Sequence, residues 1–291
     1  MAVVVEPAAL TAWRAWQLHR HPERAVRTLT AARAFVEAVG FAFTFPERTV
    51  TAPDLWSAVN GGERALPEHL DDPALDRTWE WKDRLPAERQ VVYGRFLRGK
   101  PTLVARWCWP LLVAASPQAI DPEEWEAAYA EGRLSADARR VYAVLLDRGP
   151  LSKPALRRAA GLDRAGAAPR LDRALADLQR AFLVGVVGVS DDNAWRYCFV
   201  YGALSQWVPD LLAQAATISG QTAMERLLDH YLRLVGAATP AAIVRLFGWP
   251  PTLLERRLAP LLTTGQLVAV AVAGQSGWVA HPDFLRAGGC P

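Results

Sequence analysis

The chain has 291 residues, of which 51% are apolar and 22% charged, and a formal net charge of +3. This balance excludes a disordered polymer, and no stretch reaches the ~18 continuous apolar residues of a membrane-spanning helix. At ~100 to 150 residues per domain, the length predicts two or three packed units.

The opening MAVVVEPAAL has an apolar run that is short and broken by Glu6, unlike a signal peptide, so a cytoplasmic location is expected. Cys108, Cys198 and Cys290 are odd in number and widely spaced, which suits reduced thiols and neither a disulfide framework nor a zinc site. No cofactor and no metal are expected.

In chain order, residues 7 to 20 read as a helix carrying Leu10, Trp13 and Trp16. Residues 30 to 39 read as a second helix, capped by Thr30, with Phe35, Val36 and Val39 inside and Gly40 at its end. VGFAFTFPERT follows, with Phe41, Phe43 and Phe45 at period two. That period predicts three rings on one face of an extended segment, packed beneath the preceding helix, or one of them free to stack on a flat ligand. Pro53 opens a short helix, DLWSAVN, which ends at Gly61 and Gly62, and residues 61 to 76 read as an acidic loop. In TWEWKDRLPAERQVVYGRFLRGK the element type stays open. Trp79 and Trp81 stand there before Arg95, Arg98 and Lys100, a composition suited to stacking and phosphate contact.

Charge is segregated along the chain. Arg89, Arg95, Arg98, Lys100 and Arg106 stand in a stretch free of acidic residues that extends to Ile120. Such a stretch is either a polyanion-binding face or a solvated helix face.

Two later stretches share one order of signals. From Ala138 to Val200, a helix with Val141, Tyr142, Leu145 and Leu146 ends at Gly149. Ser152 caps a short helix that stops near Gly161, and Leu171, Leu175, Leu178 and Phe182 mark a third helix. LVGVVGV, DDNA and WRYCFV then read as strand, turn and strand. From Thr222 to His281 the order returns: Leu227, Leu228, Tyr231, Leu232 and Val235; Gly236; a cap at Thr239; Leu254, Leu258 and Leu261; then QLVAVAVA, the turn GQSG, and WVAH. Three helices followed by a hairpin are the order of a winged helix. In the first copy, Lys153, Arg157 and Arg158 on the second helix and Arg170, Arg173 and Arg180 on the third stand where phosphate contacts fall. Arg245, Arg256 and Arg257 give the second copy a thinner basic cover. Winged helices also serve as protein interaction modules.

With TLTAARAFVEAVG running into an apolar strand, LWSAV, and ATPAAIVRLFGWP before the last hairpin, the sequence resembles the AlkZ-like (YcaQ-type) winged-helix family. The resemblance implies a mainly α fold with short β-hairpin wings, as tandem winged helix-turn-helix units in a C-shaped array. The corresponding divisions are 1–135, 136–205 and 206–291. It also implies DNA repair by excision of alkylated or crosslinked purines, with double-stranded DNA as partner; a monomer is expected. The family's catalytic motif, Gln-x-Gln or Gln-x-Asp after a glycine, falls on Phe43 and Phe45 when Gly40 is that glycine. A phenyl ring cannot hold a water by hydrogen bonding.

Three readings of this departure stand: recognition of alkylated DNA without hydrolysis, catalysis by other groups, or a family branch with a protein or small-molecule partner, such as a winged-helix interaction scaffold, in which the rings are core. Thr44 and Glu47, and Lys82 with Asp83, are the alternative groups, and Glu47 and Asp83 the candidate catalytic carboxylates. The five histidines show no metal spacing, and His281 reads as a surface residue.

Overall fold

The computed structural model describes residues 3–69, 71–164, 166 and 168–288. Its elements in order are β1 (Val3–Val5), α1 (Pro7–Gln17), α2 (Leu29–Val39), β2 (Phe41–Phe43), α3 (Leu55–Asn60), α4 (Pro73–Ala87), β3 (Val91–Leu97) and β4 (Lys100–Ala105). Two helices follow, α5 (Trp109–Ala115) and α6 (Trp125–Ala130), and then α7 (Ala136–Arg148), β5 (Leu151–Ser152), α8 (Lys153–Ala159), α9 (Ala168–Arg180), β6 (Val184–Ser190) and β7 (Cys198–Ala203). After α10 (Leu204–Trp207) and α11 (Pro209–Ala216) come α12 (Gly220–Val235), β8 (Ala237–Ala238), α13 (Pro240–Phe247), α14 (Pro251–Thr263), β9 (Val268–Val272), β10 (Gln275–Ala280) and α15 (Pro282–Arg286). Among the described residues, no helix is long and apolar enough to cross a membrane.

One order, helix, strand, helix, helix, strand, strand, occurs three times: from α2 to β4, from α7 to β7, and from α12 to β10. In each, the last strand lies between the other two, giving β2-β4-β3, β5-β7-β6 and β8-β10-β9. The local causes recur as well. The first helix is capped by the hydroxyl of Thr28, Ser135 or Ser219, and the second by Asp54, Ser152 or Thr239. Each first helix ends on a glycine in the left-handed φ region, Gly40 at 75°, Gly149 at 73° and Gly236 at 74°. Such a residue turns the chain straight into the short strand, a conformation that costs any side-chain-bearing residue about 1 kcal/mol or more.

The first two hairpins are not separate wings. Tyr93 of β3 pairs with Val186 of β6, which fuses both into one six-stranded sheet, β2-β4-β3-β6-β7-β5. The sheet of the third unit gains β1, paired parallel to β9 with Val3 opposite Val270. Around it Val5, Leu10, Trp13, Val270 and Phe284 form a second apolar core. Arg14 of α1 donates from Nε and Nη2 to the carbonyls of Val235 and Ala237, satisfying the end of α12.

Several local expectations change. The cap of α2 is Thr28, whose Oγ1 accepts from the Ala31 amide, and not Thr30. The Trp79–Trp81 stretch is helical, so its two rings diverge: Trp81 is buried and Trp79 is 39% exposed. In the second hairpin Trp195 lies in the turn, because β7 begins only at Cys198. In the third, GQSG is not the turn. Ala273 and Gly274, both at positive φ, make it, and Gln275 already pairs with Val272. His281 is buried, caps α15 through Nδ1, and hydrogen-bonds Asp229 Oδ1 through Nε2 at 3.1 Å. Burial pushes its pKa down. Cys108 and Cys198 are free and buried; Cys290 lies outside the described residues.

Candidate nucleic-acid interface

Gly40 delivers the chain into β2 at a crowded point, where a Cβ would stand 3.0 Å from the Trp107 ring and 3.2 Å from Cys108 Sγ. Phe41 then pairs with Val104 and Phe43 with Thr102. On its other edge Phe43 donates its amide to the Pro53 carbonyl at 3.0 Å and bridges to Asp54. Phe41 and Phe43 are 0% and 1% exposed, and Ala42 between them is equally buried. Both faces of β2 are thus covered, so alternation, which sets Phe41 and Phe43 on one side, marks no open face, and Phe45 lies beyond the strand. Phe41 packs edge-on against Phe247, whereas Phe45 is half-buried and meets Trp56 and Trp79.

Trp79 leads into a cluster built by the first two units. Lys82, 2% exposed, donates from Nζ to Asp83 Oδ1 at 2.6 Å and to Tyr197 Oη at 2.7 Å. Tyr197 Oη in turn donates to Asp83 Oδ2 at 3.0 Å. The ammonium sits 4.1 Å from the Trp79 ring centre and 5.0 Å from that of Phe199, a cation and π arrangement. Burial lowers the Lys82 pKa and raises that of Tyr197. Every polar atom named here has a partner and the amine is walled in by rings, so the cluster has the character of a buried brace. It also occupies one face of Trp79, which a second cation could approach only against the Lys82 charge.

Glu47 lies elsewhere and shares no partner with Asp83. It lines a groove of about 890 Å3, together with Arg20, Arg48, Ser57 and Arg64. Its Oε1 accepts from the Thr49 hydroxyl at 2.9 Å and its Oε2 meets Lys100 Nζ at 3.1 Å. The Thr49 hydrogen bonds first, then Lys100, hold its carboxyl below the ordinary glutamate value. Behind the groove Asp54 is fully buried. It accepts the Ser57 amide at 2.7 Å and pairs with Arg20 at 3.2 Å, and burial pushes its pKa up. Asp54 carried no signal in the sequence beyond its capping position. Thr44, the other polar group of the segment, shares a 3.3 Å hydrogen bond with Tyr93 Oη inside the core.

The basic residues fall into two sets. Arg95, Arg98 and Lys100 belong to the β3–β4 hairpin; Lys153, Arg157 and Arg158 lie on α8, and Arg170 and Arg173 on α9. Four already hold carboxylates: Lys100 on Glu47, Lys153 on Asp172 at 2.5 Å, Arg158 on Asp192 at 3.7 Å, and Arg170 bidentate on Asp137 at 2.7 and 2.8 Å. The basic partner of each pair is 40% or more exposed, so solvent screens the pairing and each base can exchange its carboxylate for a phosphate, although Glu47 and Asp137, 11% and 19% exposed, are the better shielded carboxylates. Arg95 and Arg173 are exposed.

Trp195 was read as a strand residue, and its setting differs. It is 88% exposed at the tip of the β6–β7 hairpin. Asn193 holds the tip, its Oδ1 accepting from the amides of Trp195 and Tyr197 at 3.0 and 2.9 Å, and Arg196 adopts a φ of 52°. The Asp-Asp-Asn run before Trp195 was the available signal for a turn long enough to present it.

Three units of one topology, two joined through a shared sheet, with a displayed aromatic ring and basic helices, define the class of fold. The AlkZ-related family model matches residues 26–248, and the chain belongs to that family. Its structure is similar to that of the Streptomyces sahachiroi DNA glycosylase AlkZ, with a TM-score of 0.60 and 16% sequence identity over 98% of this chain and 72% of that one. No curated protein matches the sequence.

Proposed function

We propose that the chain is a tandem winged-helix protein, divided at 1–135, 136–205 and 206–291, that binds double-stranded DNA as a monomer and recognises alkylated purines without hydrolysing them. The observation that carries this reading is Phe43, 1% exposed in a strand hydrogen-bonded on both edges. An N7-alkylated purine is already a cationic leaving group, so an excising enzyme needs chiefly a positioned water and charge near the sugar. At the motif position this chain has a ring sealed in the core. Phosphate contacts fall to Lys153, Arg157, Arg158, Arg170 and Arg173 on α8 and α9 and to Arg95, Arg98 and Lys100 on the β3–β4 hairpin, and base stacking falls to Trp195.

The test pairs two measurements on the full chain. Duplex binding is expected to weaken steeply as salt rises, and no binding at low salt rejects the DNA reading in favour of an interaction scaffold. Incubation with N7-alkylguanine duplex, followed by alkaline cleavage at abasic sites, is expected to leave strand breaks at the spontaneous background. A second reading, hydrolysis by other carboxylates, is favoured by the position of Glu47 on a groove of about 890 Å3. Breaks above background that disappear in Glu47→Gln, or in Asp83→Asn with the thermal midpoint retained, establish it.

A further inference from the structure

A second cavity, of about 310 Å3, lies where the three units meet, at the lower end of the range for small-molecule sites. Beneath its rim Phe96 stacks on Phe182 at 5.2 Å between ring centres and Phe247 on Trp249 at 4.4 Å, each ring 8% exposed or less. The rim carries Arg98 from the first unit, Arg180 from the second and Arg245 from the third, and among the described residues no acidic side chain lines the cavity.

These arginines are placed, not merely near. Arg98 stands in the two-residue β3–β4 turn, where it and Gly99 have φ of 55° and 67°, and its Nη1 donates to the Arg245 carbonyl at 2.8 Å. Arg245 donates from Nη1 to the Thr49 carbonyl at 3.2 Å. Arg180 pairs with Asp177 at 3.2 Å. Helices α9 and α13 end at the cavity with Arg180 and Phe247, and each helix end contributes about half a negative charge. Three guanidinium charges exceed that and the single carboxylate, so the rim stays positive, with donors left on planar groups suited to a phosphate.

We infer that this cavity binds a phosphorylated nucleoside, its phosphate on the arginine rim and its base in the ring-lined space beneath. A ring-lined space under a cationic rim suits a terminal phosphate with an aromatic body better than the middle of a duplex backbone. The same chemistry has two sources, a free mononucleotide and the 5′-phosphorylated end of a strand. The inference goes beyond the proposed duplex recognition and does not require it.

The experiment is calorimetric titration of the full chain, at fixed salt, with adenosine 5′-monophosphate, adenosine, inorganic phosphate, and duplexes bearing 5′-phosphate or 5′-hydroxyl ends. The mononucleotide is expected to bind saturably and more tightly than adenosine or phosphate. Arg98→Gln and Arg245→Gln are each expected to weaken it roughly tenfold, the scale of one charge-assisted hydrogen bond, while loss of their hydrogen bonds to the Arg245 and Thr49 carbonyls lowers the thermal midpoint only slightly. A preference for 5′-phosphate ends without free mononucleotide binding, lost in both variants, supports the site and names the strand end as source. Phosphate binding as tightly as the mononucleotide overturns the aromatic subsite. Absence of saturable binding in every arm, or binding indifferent to both arginine changes, overturns the inference; duplex affinity through α8, α9 and the β3–β4 hairpin is read separately from the 5′-hydroxyl arm, where Arg98→Gln but not Arg245→Gln is expected to lower it.

Discussion

Lys82 Nζ and Tyr197 Oη meet at 2.7 Å across 115 residues of chain, and both contact Asp83. The pair ties α4 of the first unit to the β6–β7 hairpin of the second, where a buried ammonium depends on one carboxylate and one hydroxyl. Asp83→Ala strands that ammonium and is expected to cost about 3 to 5 kcal/mol. Lys82→Met leaves Asp83 with its tyrosine hydrogen bond and a side chain 11% exposed, so its cost is smaller. Urea unfolding of both variants checks the order, and an equal or smaller loss for Asp83→Ala contradicts it.

Phe43→Gln places a family-like residue at the motif position. The new amide enters a site 1% exposed, between Thr102 and Asp54, with ring packing lost. A loss of about 3 kcal/mol or more is expected, with no gain in release of N7-alkylguanine. Excision above background in this variant would show that water reaches β2.

Glu47 makes stability depend on acid. Its folded pKa lies below the ordinary 4.5, so its contribution is full above that value and is lost as pH falls through the lower folded value. Glu47→Gln is expected to lower stability at neutral pH by under about 1 kcal/mol and to converge with the parent chain below the folded value. A difference that stays constant through that window argues that the Thr49 and Lys100 contacts do not favour the charged form.

Trp195→Ala removes the displayed ring without opening the core. Duplex affinity is expected to fall by about 1 to 3 kcal/mol with the thermal midpoint unchanged. Equal affinity of parent and variant for alkylated and plain duplex takes Trp195 out of the interface.

Two of the three repeated units were legible because their signals are closely spaced: Gly149 to Ser152 and Gly236 to Thr239 put glycine, strand and cap within four residues. In the first unit Gly40 and Asp54 are separated by a long excursion, and a second loop divides α3 from α4, so the same order was hidden. The fused sheet rests on a pairing between Tyr93 and Val186 that no local pattern encodes. At the motif, sequence spacing located Phe43 and Phe45, but their surroundings come from strands distant in the chain. The arginine cavity assembles three residues from three units, each of which reads alone as an ordinary surface charge.

The pairing of Val3 with Val270 also sets a timetable for synthesis. Strand β1 cannot join its sheet until β9 has been made, while the two fused hairpins, which lie between them in the chain, are already available to fold. Until then the valines of β1 have no strand partner, and the last hairpin, by receiving them, completes the four-stranded sheet and covers one of its own edges.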